Sequence, residues 1–169
     1  MIILSSIILI LSSLLQSTVS NFIGYTYDNL SIFSTIYVLV ALMTLIPFFE
    51  NKKKYFTLLI IFSLIIDIAY TNTFIFNLFL FIICYYMTKL FHTFFPYNFV
   101  TISISNLLSI FLYHIITFIF LNLLKYDIYS FKVLLKILSH SILMTIIYSN
   151  ILYLTITLII KKFDLKEVK

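Results

Sequence analysis

Long apolar runs separated by short polar segments make up almost the whole of this chain. Runs such as Ile2 to Leu15, Ile32 to Phe49, Phe74 to Thr88 and Ser141 to Ile160 carry almost no ionisable side chain. A helix of about 20 apolar residues spans a hydrocarbon layer of about 30 Å. The pattern therefore predicts helices that cross a membrane.

The number and type of the predicted spans follow from where these runs begin and end. Strands that cross a membrane alternate polar and apolar residues in a closed barrel, and these runs do not alternate, so helices are predicted. The predicted spans cover about residues 2–22, 30–49, 55–71, 73–91, 99–124 and 138–160. We therefore expect an all-α, polytopic fold of six transmembrane helices, forming a single membrane domain over residues 1–169.

Composition strengthens this expectation and excludes several classes of protein. The chain is 63% hydrophobic and 10% charged, whereas a soluble domain has roughly a quarter of its residues charged. The 11 basic residues are all lysines, and lysines between apolar spans set membrane orientation more often than they bind nucleic acid. The single cysteine, Cys84, excludes an internal disulfide or a thiolate metal cluster.

Lysine distribution predicts the orientation of the chain. With a cytoplasmic amino terminus, eight lysines lie in inner segments and three in outer segments, which is the asymmetry of the positive-inside rule. We expect both termini in the cytoplasm. The inner group is Lys52, Lys53, Lys54, Lys89, Lys161, Lys162, Lys166 and Lys169, and the outer group is Lys125, Lys132 and Lys136.

The segment from Tyr126 to His140 is amphipathic. Lys132, Lys136 and His140 repeat every four residues, and Phe131, Leu134, Leu135 and Leu138 are expected on the opposite side. One interpretation is a helix that lies along the outer membrane interface before the last span. The other is that the segment is the lysine-bearing start of one long final helix.

Asp67 is the one acidic residue well inside an apolar run, and an intramembrane carboxylate is costly. Ser63 lies one turn earlier, and Asn77 opens the next predicted helix, so the three polar groups are expected to converge near the outer leaflet. Three interpretations stay open: a polar clamp between helices, a solvated helix end, and a proton or ligand site.

Other polar residues form stripes on three predicted helices, and these stripes predict helix contacts rather than chemistry. His114 has no second histidine or acid at metal-ligand spacing, and no glycine-flanked serine is present to build an oxyanion hole. We expect neither an enzyme nor a cofactor or metal site. The stripes are Ser5, Ser12, Ser13, Gln16 and Ser20; Asn106, Ser109, Tyr113 and Thr117; and Ser141, Thr145, Tyr148 and Ser149.

Four short motifs in this order are similar to those of a known family. They are Leu14-Leu15-Gln16-Ser17-Thr18, Asp28-Asn29-Leu30, Ser63-Leu64-Ile65-Ile66-Asp67 and Asn77-Leu78. With the span pattern, they make the chain resemble the rod-shape-determining MreD family of bacteria, particularly its Firmicutes forms. Asp28 and Ser63 stand where that family has a proline and a glycine.

The resemblance implies a function and partners. It implies a non-enzymatic, multi-pass subunit of the cell-wall elongation machinery in the plasma membrane, with an S-component-like fold. The expected partner is an MreC-like protein with one span, and through it MreB-like filaments and wall synthases. No small-molecule substrate is expected. The candidate structural or partner-binding residues are Gln16, Ser63, Asp67, Asn77, Lys132 and Lys136.

The alternative function is that of a substrate-capturing S component of an energy-coupling-factor vitamin transporter, which also has six helices. Such a subunit should show rows of small residues for docking its transport partner, and polar outer loops for a vitamin. Ala41 and Ala69 are the only alanines, and the predicted outer loops are short. The sequence therefore favours the cell-wall function.

Overall fold

A computed structural model describes residues 1–23, 25–27, 30–32, 35–71, 73, 75–124 and 130–162, with the backbone alone between 19 and 32. Six α-helices account for most of this part of the chain, so the predicted helical class is confirmed. They are α1 (Ile2–Ile23), α2 (Tyr37–Leu45), α3 (Lys52–Ile66), α4 (Phe76–Phe94), α5 (Phe99–Leu123) and α6 (Phe131–Lys162).

Within the described part of the chain, three helices are long and apolar enough to cross a membrane. They are α3 with the π-helical turn Asp67–Thr71 that continues it, α5 and α6, which cover 20, 25 and 32 residues. Two shorter apolar helical segments, Ile2–Thr18 and Tyr37–Phe48, accompany them. Because a helix rises 1.5 Å per residue, about 20 residues are enough to cross a hydrocarbon layer of about 30 Å. The lengths of the three long helices are therefore consistent with a membrane protein.

The predicted second span, residues 30–49, has a different structure. Strands β1 (Tyr25–Tyr27) and β2 (Leu30–Ile32) form an antiparallel hairpin, with Tyr25 opposite Ile32. Only nine residues then form α2, followed by a 3₁₀ turn, Ile46–Phe48, that includes Pro47. Proline lacks the N–H that a continuing helix needs, which is consistent with the end of α2 there.

The helix α2 forms the centre of the bundle. Every residue of α2 is buried, and the helices packed around it are α1, α4, α5 and α6. A helix that is apolar on all sides is stable only where its whole surface is covered by lipid or protein. Here neighbouring helices provide much of that cover, and the main core cluster is built around α2.

The bundle has two distinct ends. We call the end where α3 begins and α4 finishes the lysine end, because Lys52, Lys53, Lys54 and Lys89 lie there. The caps at this end are local in sequence. Asn51 accepts hydrogen bonds from the backbone N–H of Lys53 (3.0 Å) at the start of α3, and Asn98 forms a capping box with Thr101 at the start of α5.

The amphipathic segment is the start of one long helix. Its residues from Phe131 onward belong to α6, which continues without a break to Lys162, so the second interpretation of this segment is the one observed. Residues 125–129 lie outside the described part. Val133, Leu134 and Ile137 are buried against Phe118 and Leu121 of α5. Phe131 and Leu135, which we expected on the same side as Leu134, are exposed.

Candidate functional site

A polar network of buried and partly exposed side chains lies at the end of the bundle opposite the lysine end. We call it the Asp67 clasp, and it consists of Asp67, Thr71, Thr73, Asn77 and Tyr113. Asp67 and Asn77 are 1% and 0% exposed. The π-helical turn that follows α3 carries Asp67 and Thr71, Asn77 lies in the first turn of α4, and Tyr113 lies on α5. The clasp therefore joins three helices.

Four donors contact the Asp67 carboxylate. Its Oδ1 accepts from the Thr73 hydroxyl (2.5 Å), the Asn77 backbone N–H (3.0 Å) and the Asn77 side-chain Nδ2 (2.9 Å). Its Oδ2 accepts from the backbone N–H of Leu78 (3.2 Å). Hydrogen bonds to a charged acceptor are stronger than neutral ones. The carboxylate thus binds two backbone donors at the start of α4.

The other polar groups of the clasp form hydrogen bonds with one another in a single consistent pattern of donors and acceptors. Asn77 Nδ2 also donates to the Thr71 hydroxyl oxygen (2.9 Å), and the Tyr113 hydroxyl donates to Asn77 Oδ1 (2.6 Å). Because the Thr73 hydrogen points to Asp67, the 2.7 Å contact between the two threonines requires Thr71 to donate. This pattern fixes the orientation of the Asn77 amide.

The clasp replaces a missing local cap. The residue before α4, Ile75, makes no side-chain cap hydrogen bond and has φ of 66°. A β-branched residue with positive φ is strained by about 1–3 kcal/mol. The Asp67 carboxylate satisfies N–H groups that Ile75 leaves open, and its charge interacts favourably with the positive end of the α4 dipole.

A second cap between helices lies nearby. The side-chain carbonyl oxygen of Gln16, on α1, accepts from the backbone N–H of Tyr37 at the start of α2 (2.7 Å). The Tyr70 hydroxyl, from the π-helical turn, donates to the Ser13 carbonyl (2.7 Å). The start of α2 and the end of α3 are both tied to the same part of α1.

Polar side chains of α5 connect it to three other helices. Asn106 donates to the Thr44 hydroxyl on α2 (2.8 Å), and Ser109 is 2.9 Å from the Thr88 hydroxyl on α4. Ser149 on α6 donates to Ser103 (3.2 Å). Small hydroxyl residues let helices approach closely and hydrogen-bond across the contact. These stripes therefore act as contacts between helices.

The six sequence-predicted site residues divide into four groups. Gln16 is the first, as the cap at the start of α2. Asp67 and Asn77 are in direct contact within the clasp. Ser63 is buried, but its hydroxyl donates to the Ile60 carbonyl of its own helix (3.0 Å) and not to a residue of the clasp. Lys132 and Lys136 are exposed on α6, so they lie on the surface.

Sequence reasoning did not identify all the members of the clasp. Thr71 and Thr73 lie at the ends of the predicted spans 55–71 and 73–91, and Tyr113 belongs to a predicted stripe on α5. Their contacts depend on how α3, α4 and α5 pack, and no spacing rule along the chain encodes that packing. The sequence signal that points to these two threonines is their position just after Asp67, at the junction of two predicted spans.

The chemistry of the clasp is that of a structural joint. Its carboxylate and amide are hydrogen-bonded to one another and to the helix start. Within the described ranges, no three histidine, cysteine, aspartate or glutamate side chains are grouped so that they could hold a metal ion. Compared with family models, curated proteins and solved structures, the chain matches none of them.

Proposed function

We propose that this protein is a non-enzymatic membrane subunit of the cell-wall elongation machinery that binds an MreC-like partner with one span. The observation that carries the proposal is the structural role of three residues from the motifs that resemble the MreD family. Gln16 and Asp67 cap the starts of α2 and α4, and Asn77 binds the Asp67 carboxylate, all at the same end of the bundle. Residues used in this way build a rigid surface at that end, which suits a docking subunit.

The proposed topology has six crossings with both termini in the cytoplasm. In this arrangement the lysine end faces the cytoplasm, because Lys52, Lys89 and Lys162 all lie at the ends of helices there. The Asp67 clasp then lies near the outer leaflet. The lysine asymmetry supports this orientation through the positive-inside rule, and the three long apolar helices support the membrane location.

Cysteine labelling tests this topology. In a Cys84→Ser background, Asn51→Cys should stay unlabelled by a membrane-impermeant thiol reagent in intact cells, whereas Ser130→Cys should be labelled. Both positions are exposed at helix starts, at opposite ends of the bundle. Labelling both variants after permeabilisation is the control for reactivity. Labelling at Asn51 but not at Ser130 in intact cells would invert the proposed orientation.

The proposed partner surface lies around the clasp. Ile68, Ile75 and Phe79 are exposed apolar side chains at this end of α3 and α4. The exposed Lys132 and Lys136 of α6 lie at the same end, since α6 begins where α5 finishes. Apolar side chains beside polar groups suit a contact with another membrane helix and the domain that follows it outside.

We expect Phe79→Ala to lower recovery of the partner about tenfold, because exposed aromatic residues are frequent anchors of protein interfaces. Phe94→Ala is the matched control: it lies on the same helix at the lysine end, and the two side chains are 60% and 76% exposed. The measurement is affinity purification of the full chain from detergent extracts of its host, followed by quantitative mass spectrometry.

The identity of the partner decides between the two candidate functions. Recovery of a single-span, MreC-like protein, with rounding or swelling of depleted cells, supports the cell-wall function. Recovery of an ATPase module, with loss of vitamin uptake at unchanged cell shape, contradicts it and favours a transporter subunit. Equal loss of the partner in Phe79→Ala and Phe94→Ala would reject the proposed surface.

A further inference from the structure

A cavity of about 210 Å³ lies at the lysine end, on the opposite side of the molecule from the Asp67 clasp. The turn after α2, the start of α3, the end of α4 and the connection to α5 line it, and it is open on one side. We call it the headgroup cavity. Its polar lining consists of Lys52, Lys89, Tyr55, Tyr85 and Tyr97, and its apolar wall includes Pro47.

The charge of the headgroup cavity is positive. Lys52 begins α3, and Lys89 lies in the last turns of α4, so two different helices provide the ammonium groups. Among the described residues, no aspartate or glutamate lines this cavity. Glu50 lines the neighbouring surface pocket together with Lys52 but does not line this cavity. The two ammonium groups therefore give the cavity itself a positive lining, which attracts an anion.

Aromatic side chains shape the cavity. The Tyr55 hydroxyl already donates to the Leu42 carbonyl (3.0 Å), which fixes that ring, and the Tyr85 ring lies 5.3 Å from it. The Tyr97 ring stacks on His92 at 4.0 Å. The Tyr97 hydroxyl is protonated at neutral pH, as an ordinary tyrosine is, and can donate a hydrogen bond. Burial, and secondarily the neighbouring Tyr85, raises its pKa further.

We propose that the headgroup cavity binds the phosphate group of an anionic phospholipid. Its volume is below the roughly 300–1,000 Å³ of sites for drug-sized ligands, so it suits a small group such as a phosphodiester. Basic cavities between membrane helices at the cytoplasmic side commonly hold anionic headgroups. Tyr86 and Leu90 are exposed on the adjacent turns of α4 and provide an apolar surface for the acyl chains.

The test is lipid binding by the full chain in a neutral detergent, measured by native mass spectrometry. The probes are short-chain phosphatidylglycerol, the corresponding phosphatidylcholine, and inorganic phosphate as a competitor. We expect one phosphatidylglycerol to bind per chain. Lys52→Gln and Lys89→Gln should each weaken it about fivefold, and the double variant about thirtyfold. Phosphatidylcholine should bind at least tenfold more weakly.

Two matched controls, Lys54→Gln and Tyr86→Phe, distinguish binding in the cavity from unspecific binding at the lysine end. Lys54→Gln makes the same charge change two residues from Lys52 but outside the cavity lining, and it should change affinity by less than twofold. Tyr97→Phe removes one donor with no change of charge and should weaken binding about threefold to tenfold. Tyr86→Phe, on an exposed ring outside the lining, should not. Thermal melting of each variant checks that the fold is intact.

Three results would overturn the proposal. The first is an equal loss of affinity for Lys54→Gln and Lys52→Gln, which would indicate unspecific attraction to the lysine end. The second is equal binding of the anionic and zwitterionic lipids. The third is displacement of phosphatidylglycerol by an equal concentration of inorganic phosphate, which would show a site for a soluble anion instead of a lipid.

Discussion

Asp67→Leu is expected to lower the free energy of unfolding by about 4 kcal/mol. The substitution removes the acceptor for the backbone N–H groups of Asn77 and Leu78 and for the Asn77 amide. Each buried donor left without a partner costs about 1–3 kcal/mol, and lipid provides no replacement. The start of α4 would also lose the negative charge at its positive end.

Asp67→Asn should lower the free energy of unfolding by only about half as much as Asp67→Leu. The carbonyl oxygen of the new asparagine still accepts from Asn77, whereas its amide group faces the Leu78 N–H and cannot accept from it. Ser63→Ala is the matched control, one turn earlier on the same helix. Its hydroxyl donates to the Ile60 carbonyl of its own helix, and we expect a cost below about 1 kcal/mol. Unfolding by sodium dodecyl sulfate in mixed micelles, followed by circular dichroism, measures all three variants.

Two outcomes would change the interpretation of the clasp. If Asp67→Leu is no more destabilising than Ser63→Ala, the carboxylate does not hold α4. If Asp67→Asn inserts at normal levels but abolishes activity in cells, the charge of Asp67 has a function beyond structure. That second result would strengthen the transporter hypothesis, because a transport site is where an intramembrane charge most often acts.

Gln16→Met is expected to lower the free energy of unfolding by about 3 kcal/mol. Methionine keeps the length of the side chain but cannot accept the Tyr37 N–H at 2.7 Å. The residue before α2, Ile36, makes no side-chain cap, and Gln16 and Tyr37 are only 2% and 8% exposed. An unsatisfied N–H in such surroundings costs several kcal/mol.

Leu15→Met is the control for this change. It introduces the same side chain at the neighbouring position, which is exposed on α1, and should cost less than about 1 kcal/mol. The same micelle unfolding measurement compares the two variants. Equal effects would mean that α2 keeps its position without the Gln16 cap, and that packing of its buried residues alone determines where it begins.

The sequence by itself determined the helical class and the approximate course of the longest helices. Apolar runs of about 20 residues with little charge leave no other structure in a membrane, because every backbone polar group must be satisfied within the segment. The sequence also determined the helix caps at the lysine end. Asn51 and Asn98 bond to residues two or three positions away, so neighbouring residues alone encode these helix starts.

Only the tertiary structure decided which apolar helix is central and which polar residues meet. A helix that faces lipid and a helix buried among others are equally apolar, so composition does not distinguish α2 from its neighbours. The caps at the clasp end join residues 10 or 21 positions apart. Gln16 and Asp67 reach their partners through the packing of α1 against α2 and α3 against α4, and no periodicity along one helix specifies that geometry.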